Sequence, residues 1–193
     1  MRFLPRFGLG VSTVLALGML TSPLSLRSQA VELRGQMYFN HPPTLVNATT
    51  TERRTTASGA TYYFTLSVPE DAGEPLQRIA IAQKDGSDSF RMVQYRTDNT
   101  RAFIGTPRKR GDALAVGETT FDSNTQTVTV TFAEPVAPGQ TVTVGLRPTR
   151  NPVVDGIYLF GVTAYPAGNN SYGQFLGYGR LNFDSSDSES PFF

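Results

Sequence analysis

The sequence predicts an all-β protein: a single antiparallel β-sandwich of immunoglobulin-like or related Greek-key topology, with a small closed β-barrel as the alternative. Three observations carry this prediction. Apolar and polar residues alternate with period two through much of residues 31–183, as they do when one strand face packs inward and the other meets solvent. Glycine and proline, 18 and 13 of 193 residues, interrupt those runs at turn spacing. No stretch shows the 3.6-residue period of an amphipathic helix. Seven to nine short strands follow, and pattern alone does not separate two packed sheets from one closed sheet.

Residues 1–30 read as a secretory signal peptide. Arg2 and Arg6 precede an apolar run at 7–20, and Ser28-Gln29-Ala30 places small residues at both cleavage-determining positions. The apolar run is too short to span a bilayer comfortably. Cleavage after Ala30 removes Arg2, Arg6 and Arg27, so the balance moves from 17 basic against 16 acidic residues to 14 against 16, a net charge of −2. An exported protein is expected, in the periplasm, the envelope or outside the cell. Nucleic acid is not expected as a partner. The chain has no cysteine, so its stability must come from its core.

Residues 31–39 form the first predicted strand, ended by Asn40-His41-Pro42-Pro43 because consecutive prolines remove ladder donors. Residues 49–60 (TTTERRTTASGA) are polar and read as a loop. In the strand at 61–68, Tyr62, Phe64, Leu66 and Val68 point inward. Residues 69–75 hold at most one helical turn, limited by Pro75. A strand at 76–82 runs through Ile79 and Ile81, Asp85-Gly86 turns the chain, and 89–95 is the next strand. Residues 101–104 make a short strand, and 112–121 show no clear period. In 125–132, Val128, Val130 and Phe132 face one way; 133–139 connects to 141–146, where Val142, Val144 and Leu146 repeat the pattern.

The stretch 141–183 organises the domain. Residues 156–165 are apolar on both faces, Ile157 and Leu159 on one and Tyr158, Phe160 and Val162 on the other, so a mid-sheet strand buried on both sides is predicted. Residues 174–183 place Phe175, Gly177, Gly179, Leu181 and Phe183 on one face, with glycines making room for neighbouring rings. The predicted core includes Phe64, Leu66, Ile79, Val130, Val144, Leu159, Phe160 and Phe175. Residues 184–193 are serine-rich and acidic and are expected to be disordered. The domain is thus 31–183.

The segments RPTRNP (147–152), GIYLFGVTAYPAG (156–168) and GQFLGYGR (173–180), with PEDAGEPL (69–76) and GTPRKRG (105–111) upstream, resemble the exported cyanobacterial family called domain of unknown function 2808. The likeness covers most of residues 60–183. It implies an exported protein with no assigned activity and no catalytic residues to carry over.

His41 is the one histidine and the chain has no cysteine, so a cysteine triad has no thiol, and the usual serine triads and histidine-rich zinc sites are not expected. The acids sit mostly in turns, as solvated residues do. The protein is therefore expected not to be an enzyme and to need no cofactor. Arg108, Lys109 and Arg110 put three cations on a short loop between Gly105 and Gly111. Such a tip deters unwanted edge pairing, and it also suits contact with an anionic envelope polymer or lipid headgroups. The favoured function is a non-catalytic envelope module that binds a polymer or protein partner. The alternative is a small periplasmic copper carrier: Met37 and His41 pair a thioether with an imidazole, and AEPVAPG (133–139) resembles a loop of exported copper-resistance sandwiches. Met37 also falls in phase with Leu33 and Phe39, as a core residue would.

Overall fold

The computed structural model describes residues 31–33, 35–84 and 92–185. The predicted signal peptide, the Asp85-Gly86 turn and most of the acidic tail fall outside them. Alternation builds the sheets as expected. Tyr62, Phe64 and Leu66 of β4 (Tyr62–Ser67) are fully buried, as are Ile79 and Ile81 of β5 (Leu76–Gln83). Val128, Val130 and Phe132 of β9 (Thr127–Val136) and Val142, Val144 and Leu146 of β10 (Thr141–Leu146) face them.

The remaining strands are β1 (Val31–Leu33), β2 (Gln36–Tyr38), β3 (Thr44–Thr50), β6 (Arg101–Gly105), β7 (Arg110–Leu114), β8 (Val116–Asp122), β11 (Gly156–Pro166) and β12 (Gln174–Phe183). Two five-stranded antiparallel sheets form, in the orders β3-β4-β10-β6-β7 and β12-β11-β5-β9-β8, with β1-β2 as a separate hairpin. These are two open sheets and not a closed barrel: the sandwich prediction holds. Among the described residues the helical content is one 3-10 turn, Thr97–Asn99, and no helix is long and apolar enough to cross a membrane.

Between the sheets the core is aromatic. Phe160 packs against Tyr62 and Phe64 at centroid distances of 6.0 and 5.7 Å, and Phe183 meets Tyr62 and Tyr158 at 5.5 and 5.3 Å. At one side of the sandwich β12 lies against β3. A side chain on Gly179 would come within 2.7 Å of the Ala48 Cβ and 3.0 Å of Phe64, so the bare backbone there lets the two sheet edges meet.

Several expectations are corrected. The segment 31–39 is not one strand: β1 and β2 fold back on each other, pairing Leu33 with Gln36, and Gly35 takes a φ of 75° that most residues avoid. Residues 49–60 are not all loop, because β3 continues to Thr50; Val46 is bulged out of its pairing with β4. Over 92–95 only Tyr95 pairs, by an isolated bridge to Pro148. Residues 112–121 do form strands, parts of β7 and β8. Both lie at sheet edges, and most of their residues are exposed, so no inward period marks them.

β11 is an interior strand but is buried on one face only. Tyr158, Phe160, Val162 and Ala164 are inside, whereas Ile157 is exposed and Leu159 half-buried. Phe175 is 56% exposed and does not belong to the core. The cause is a bulge: Val162 pairs with Gly177 and Thr163 with Phe175, so Leu176 is the extra residue. One inserted residue exchanges the faces of everything before it. Leu176 therefore packs on the core, while Phe175 joins Tyr178 outside, their rings 5.1 Å apart.

Asn151, from the RPTRNP segment, is 1% exposed and ties the 51–57 loop to the core. Its side-chain amide donates to the carbonyls of Glu52 (2.9 Å) and Arg54 (2.8 Å), and its Oδ1 accepts from the Tyr62 hydroxyl (2.9 Å). Asp184 is held as well, through an ion pair with Arg53 at 2.9 Å.

Candidate functional site

The 105–111 loop is the turn of the β6–β7 hairpin. Gly105 adopts a φ of 93°, and a Cβ there would collide with the Lys109 carbonyl oxygen. The turn closes through Thr106 N–H to Lys109 O (3.0 Å) and Lys109 N–H to Thr106 O (3.1 Å). Arg108 and Lys109 are left exposed at the tip. Arg110 behaves differently. It pairs with Gly105 at the start of β7 and folds back over the outer face of the sheet. Its guanidinium donates to the Tyr63 hydroxyl (Nη2, 3.0 Å) and to Pro107 O (Nε, 3.3 Å), and lies 5.1 Å from the Phe103 ring centre and 5.4 Å from that of Tyr63. The three predicted cations are thus split: two at a solvated tip, one built into an aromatic face.

Strand register explains that face. Tyr63 of β4 pairs with Gly145 of β10, which pairs with Arg101 of β6. A Cβ on Gly145 would meet the Tyr63 ring at 2.8 Å, so the glycine lets Tyr63 lie across β10 toward Arg110. Beneath them Phe103 is only 7% exposed yet stands outside the main core. Thr143 supports the strand beside it, donating to Gly105 O and sharing a 2.9 Å hydrogen bond with Thr65.

Two recesses flank Arg101 and Arg110. One, of 440 Å³, is lined by Arg101, Phe103, Arg110, Leu114 and Val116 among others. A second, of 150 Å³, is lined by Thr61, Tyr63, Asn99, Arg101, Arg110 and Arg147 among others. A guanidinium presents a planar fork of donors suited to carboxylate, sulfate or phosphate, and stacking on aromatic rings holds it in place. The arrangement is equipped to bind an anion. Tyr63, Phe103, Arg101 and Arg147 are absent from the predicted site. Tyr63 does sit in the outward phase of its strand, but only register shows that it meets Arg110.

His41 and Met37 have separate surroundings. The His41 Nδ1 lies 3.1 Å from Asp71 Oδ2, with both side chains about two-thirds exposed at 66% and 69%. Met37 is half-buried on the β11–β12 turn, where its Cγ is 3.0 Å from the place a Gly168 Cβ would take, and its backbone bridges Ser171. It belongs to the β1–β2 hairpin and not to the main core. Elsewhere, hydrogen bonds from Arg54 hold the Glu52 carboxyl below its usual pKa, and those from the Asn124 backbone and Thr125 do the same to Asp122.

Residues 36–183 match the family model described as "Protein of unknown function (DUF2808)". No curated protein matches the chain. Among solved structures, the chain is similar to the collagen-binding subdomain of the Enterococcus faecalis surface protein ACE, at 11% identity and TM-score 0.41 over 74% of this chain and 98% of that one. It is similar to the collagen-binding domain of a Staphylococcus aureus adhesin at 7% identity and TM-score 0.36, over 75% and 96%. It is also similar to BcpA, the major pilin subunit of Bacillus cereus, at 12% identity and TM-score 0.43, over 74% of this chain and 41% of that one. These are loose likenesses of strand arrangement.

Proposed function

The chain belongs to the DUF2808 family, a family described only as of unknown function, and from that premise we propose that the protein is an exported, non-catalytic module that binds an anionic component of the cell envelope through the outer face of β4, β10, β6 and β7. One observation carries the reading: Arg110 is held over Tyr63 and Phe103, beside a 440 Å³ recess that it shares with Arg101. A cation kept only for solubility needs no partner for its side chain, and Arg108 and Lys109 stand exposed at the tip. Arg110 is exposed too, but a hydroxyl, a carbonyl and two rings orient its guanidinium before any ligand arrives, which lowers the cost of binding. Export is supported by the leader pattern at 1–30, and the absence of catalysis by a composition without cysteine and with a single, exposed histidine.

Charge reversal at Arg108, Lys109 and Arg110 tests the proposal. Envelope fractionation should show the variant released to the soluble fraction while its melting midpoint stays near that of the parent. Unchanged retention of a folded variant would overturn the reading.

A further inference from the structure

The cationic face does not stop at the hairpin. Beyond Arg147 lies a third recess, of 280 Å³, lined by Ser58, Arg96, Asn99, Arg147 and Thr149 among others. It shares Asn99 and Arg147 with the second recess, and the second shares Arg101, Phe103 and Arg110 with the first. The three are therefore consecutive, and Arg110, Arg101, Arg147 and Arg96 line them in turn. Backbone bonds fix the far end: Arg96 N–H donates to Arg147 O (2.8 Å) and Thr149 N–H to Gln94 O (2.7 Å). None of the residues lining these three is an aspartate or glutamate, and carboxylates stand beyond the two ends: Asp98 and Glu118 in a recess that shares Thr100 and Val116 with the first, and Glu52 in one that shares Ser58 with the third. The ion pairs among the described residues lie elsewhere, at His41–Asp71, Arg53–Asp184 and Arg54–Glu52. Four guanidiniums without a carboxylate partner thus line one path, on a chain whose basic and acidic residues nearly balance, 17 to 16.

We infer that this path is a groove for one extended acidic polysaccharide, whose ring carboxylates meet the arginines in succession. The inference rests on the reading that the hairpin face binds an anionic envelope component, and it names the class. A lone phosphate or headgroup needs one cluster of donors; arginines spread over three adjoining recesses suit charges repeated along a chain. Each guanidinium offers a carboxylate two parallel donors. Between them stand neutral hydrogen-bonding groups, Thr61, Asn99, Ser58, Thr149 and the Tyr63 hydroxyl, which suit sugar hydroxyls. The first two recesses lie across β7, β6 and β10, and the third lies over the segments 58–59, 96–99 and 147–149 beside them; the path is lined by side chains and does not run along one strand's unpaired backbone, which an extended peptide would use.

The test is calorimetry of the purified protein with oligogalacturonates of graded length, at low and high salt. Affinity should rise with length and fall with salt, because releasing counterions gains less when the bulk is already salty. Arg147→Gln and Arg96→Gln should each weaken binding of the long oligomers about tenfold, the scale of one charge-assisted contact, with melting midpoints unchanged. If those two variants bind normally while Arg110→Gln does not, the groove is refuted and the hairpin reading survives. Binding to phosphatidylglycerol vesicles or polyglutamate without affinity for oligogalacturonate refutes the polysaccharide. No binding to any of these anions refutes both readings.

Discussion

Replacing Asn151 by leucine should remove more stability than its size suggests. The side chain is buried and makes three hydrogen bonds: two donated to the carbonyls of Glu52 and Arg54, one accepted from the Tyr62 hydroxyl. Each is worth about 1 kcal/mol net, and stranding the buried tyrosine hydroxyl adds about 1–3 kcal/mol. The loss should total roughly 4–6 kcal/mol, which for a domain of this size lowers Tm by on the order of 10 °C. Tyr62→Phe should cost about 1–2 kcal/mol, because it leaves the Asn151 Oδ1 without its donor. The double variant should lose less than the sum, since no stranded hydroxyl remains, with a coupling of about 1 kcal/mol. Urea unfolding of the four proteins closes the cycle. The 51–57 loop should also be cut faster by proteases in Asn151→Leu, having lost the two side-chain amide bonds while its backbone bonds to Asp184, Pro152 and Asn151 remain. Additive single effects, or a loss in Asn151→Leu below about 1 kcal/mol, would refute this account of the network.

Phe160→Ala should cost about 3–5 kcal/mol, whereas Leu159→Ala, on the half-buried outer face, should cost less than the roughly 2–5 kcal/mol of a buried leucine; paired denaturation curves decide. Gly179→Val should cost about 1–3 kcal/mol by driving β12 off Ala48 and Phe64, and an unchanged midpoint would show that the edges do not meet as described. Asp122→Asn should matter only away from acid. The folded carboxyl titrates below its unfolded value, so its contribution is present above that unfolded value and disappears as pH falls through the folded one; parent and variant should converge in thermal scans at low pH. Gly145→Val should displace Tyr63 and free Arg110, seen as quicker side-chain motion of Arg110 in nitrogen relaxation, with no change if Tyr63 does not lean across β10.

The strands that alternate cleanly, β4, β5, β9 and β10, were legible because large apolar residues alternate with polar or small ones, and this holds even in β10, where Thr143 and Gly145 are buried too. β7 and β8 were not, since edge strands that bury little leave no period to read. Phe175 shows a second limit. A bulge at Leu176 reverses inside and outside, and neither the hydrophobicity of Phe175 nor its spacing from Gly177 announces it. The site was half legible. Three adjacent cations between glycines can be seen in a linear chain, but Tyr63 and Arg147 are far from them in sequence, and even Arg101, on the preceding strand, is brought beside them only by the fold. Composition marks where charge is dense; register decides which charge acquires a seat.

The strand order also governs when folding can finish. β4 lies between β3 and β10, and β5 between β9 and β11, so the centre of each sheet waits for partners made some 80 residues later. β3 and β4 alone would be a two-stranded ribbon, which is marginal in water. A chain emerging from a ribosome or threading a translocation pore therefore cannot complete the first sheet before Thr141–Leu146 has cleared, nor the second before Gly156–Pro166 and Gln174–Phe183 have. For the export proposed above that delay would be useful, since a pore that passes unfolded chains would meet little to pull apart. It also places the greatest need for a holding chaperone in the interval between completion of β5 and arrival of β11.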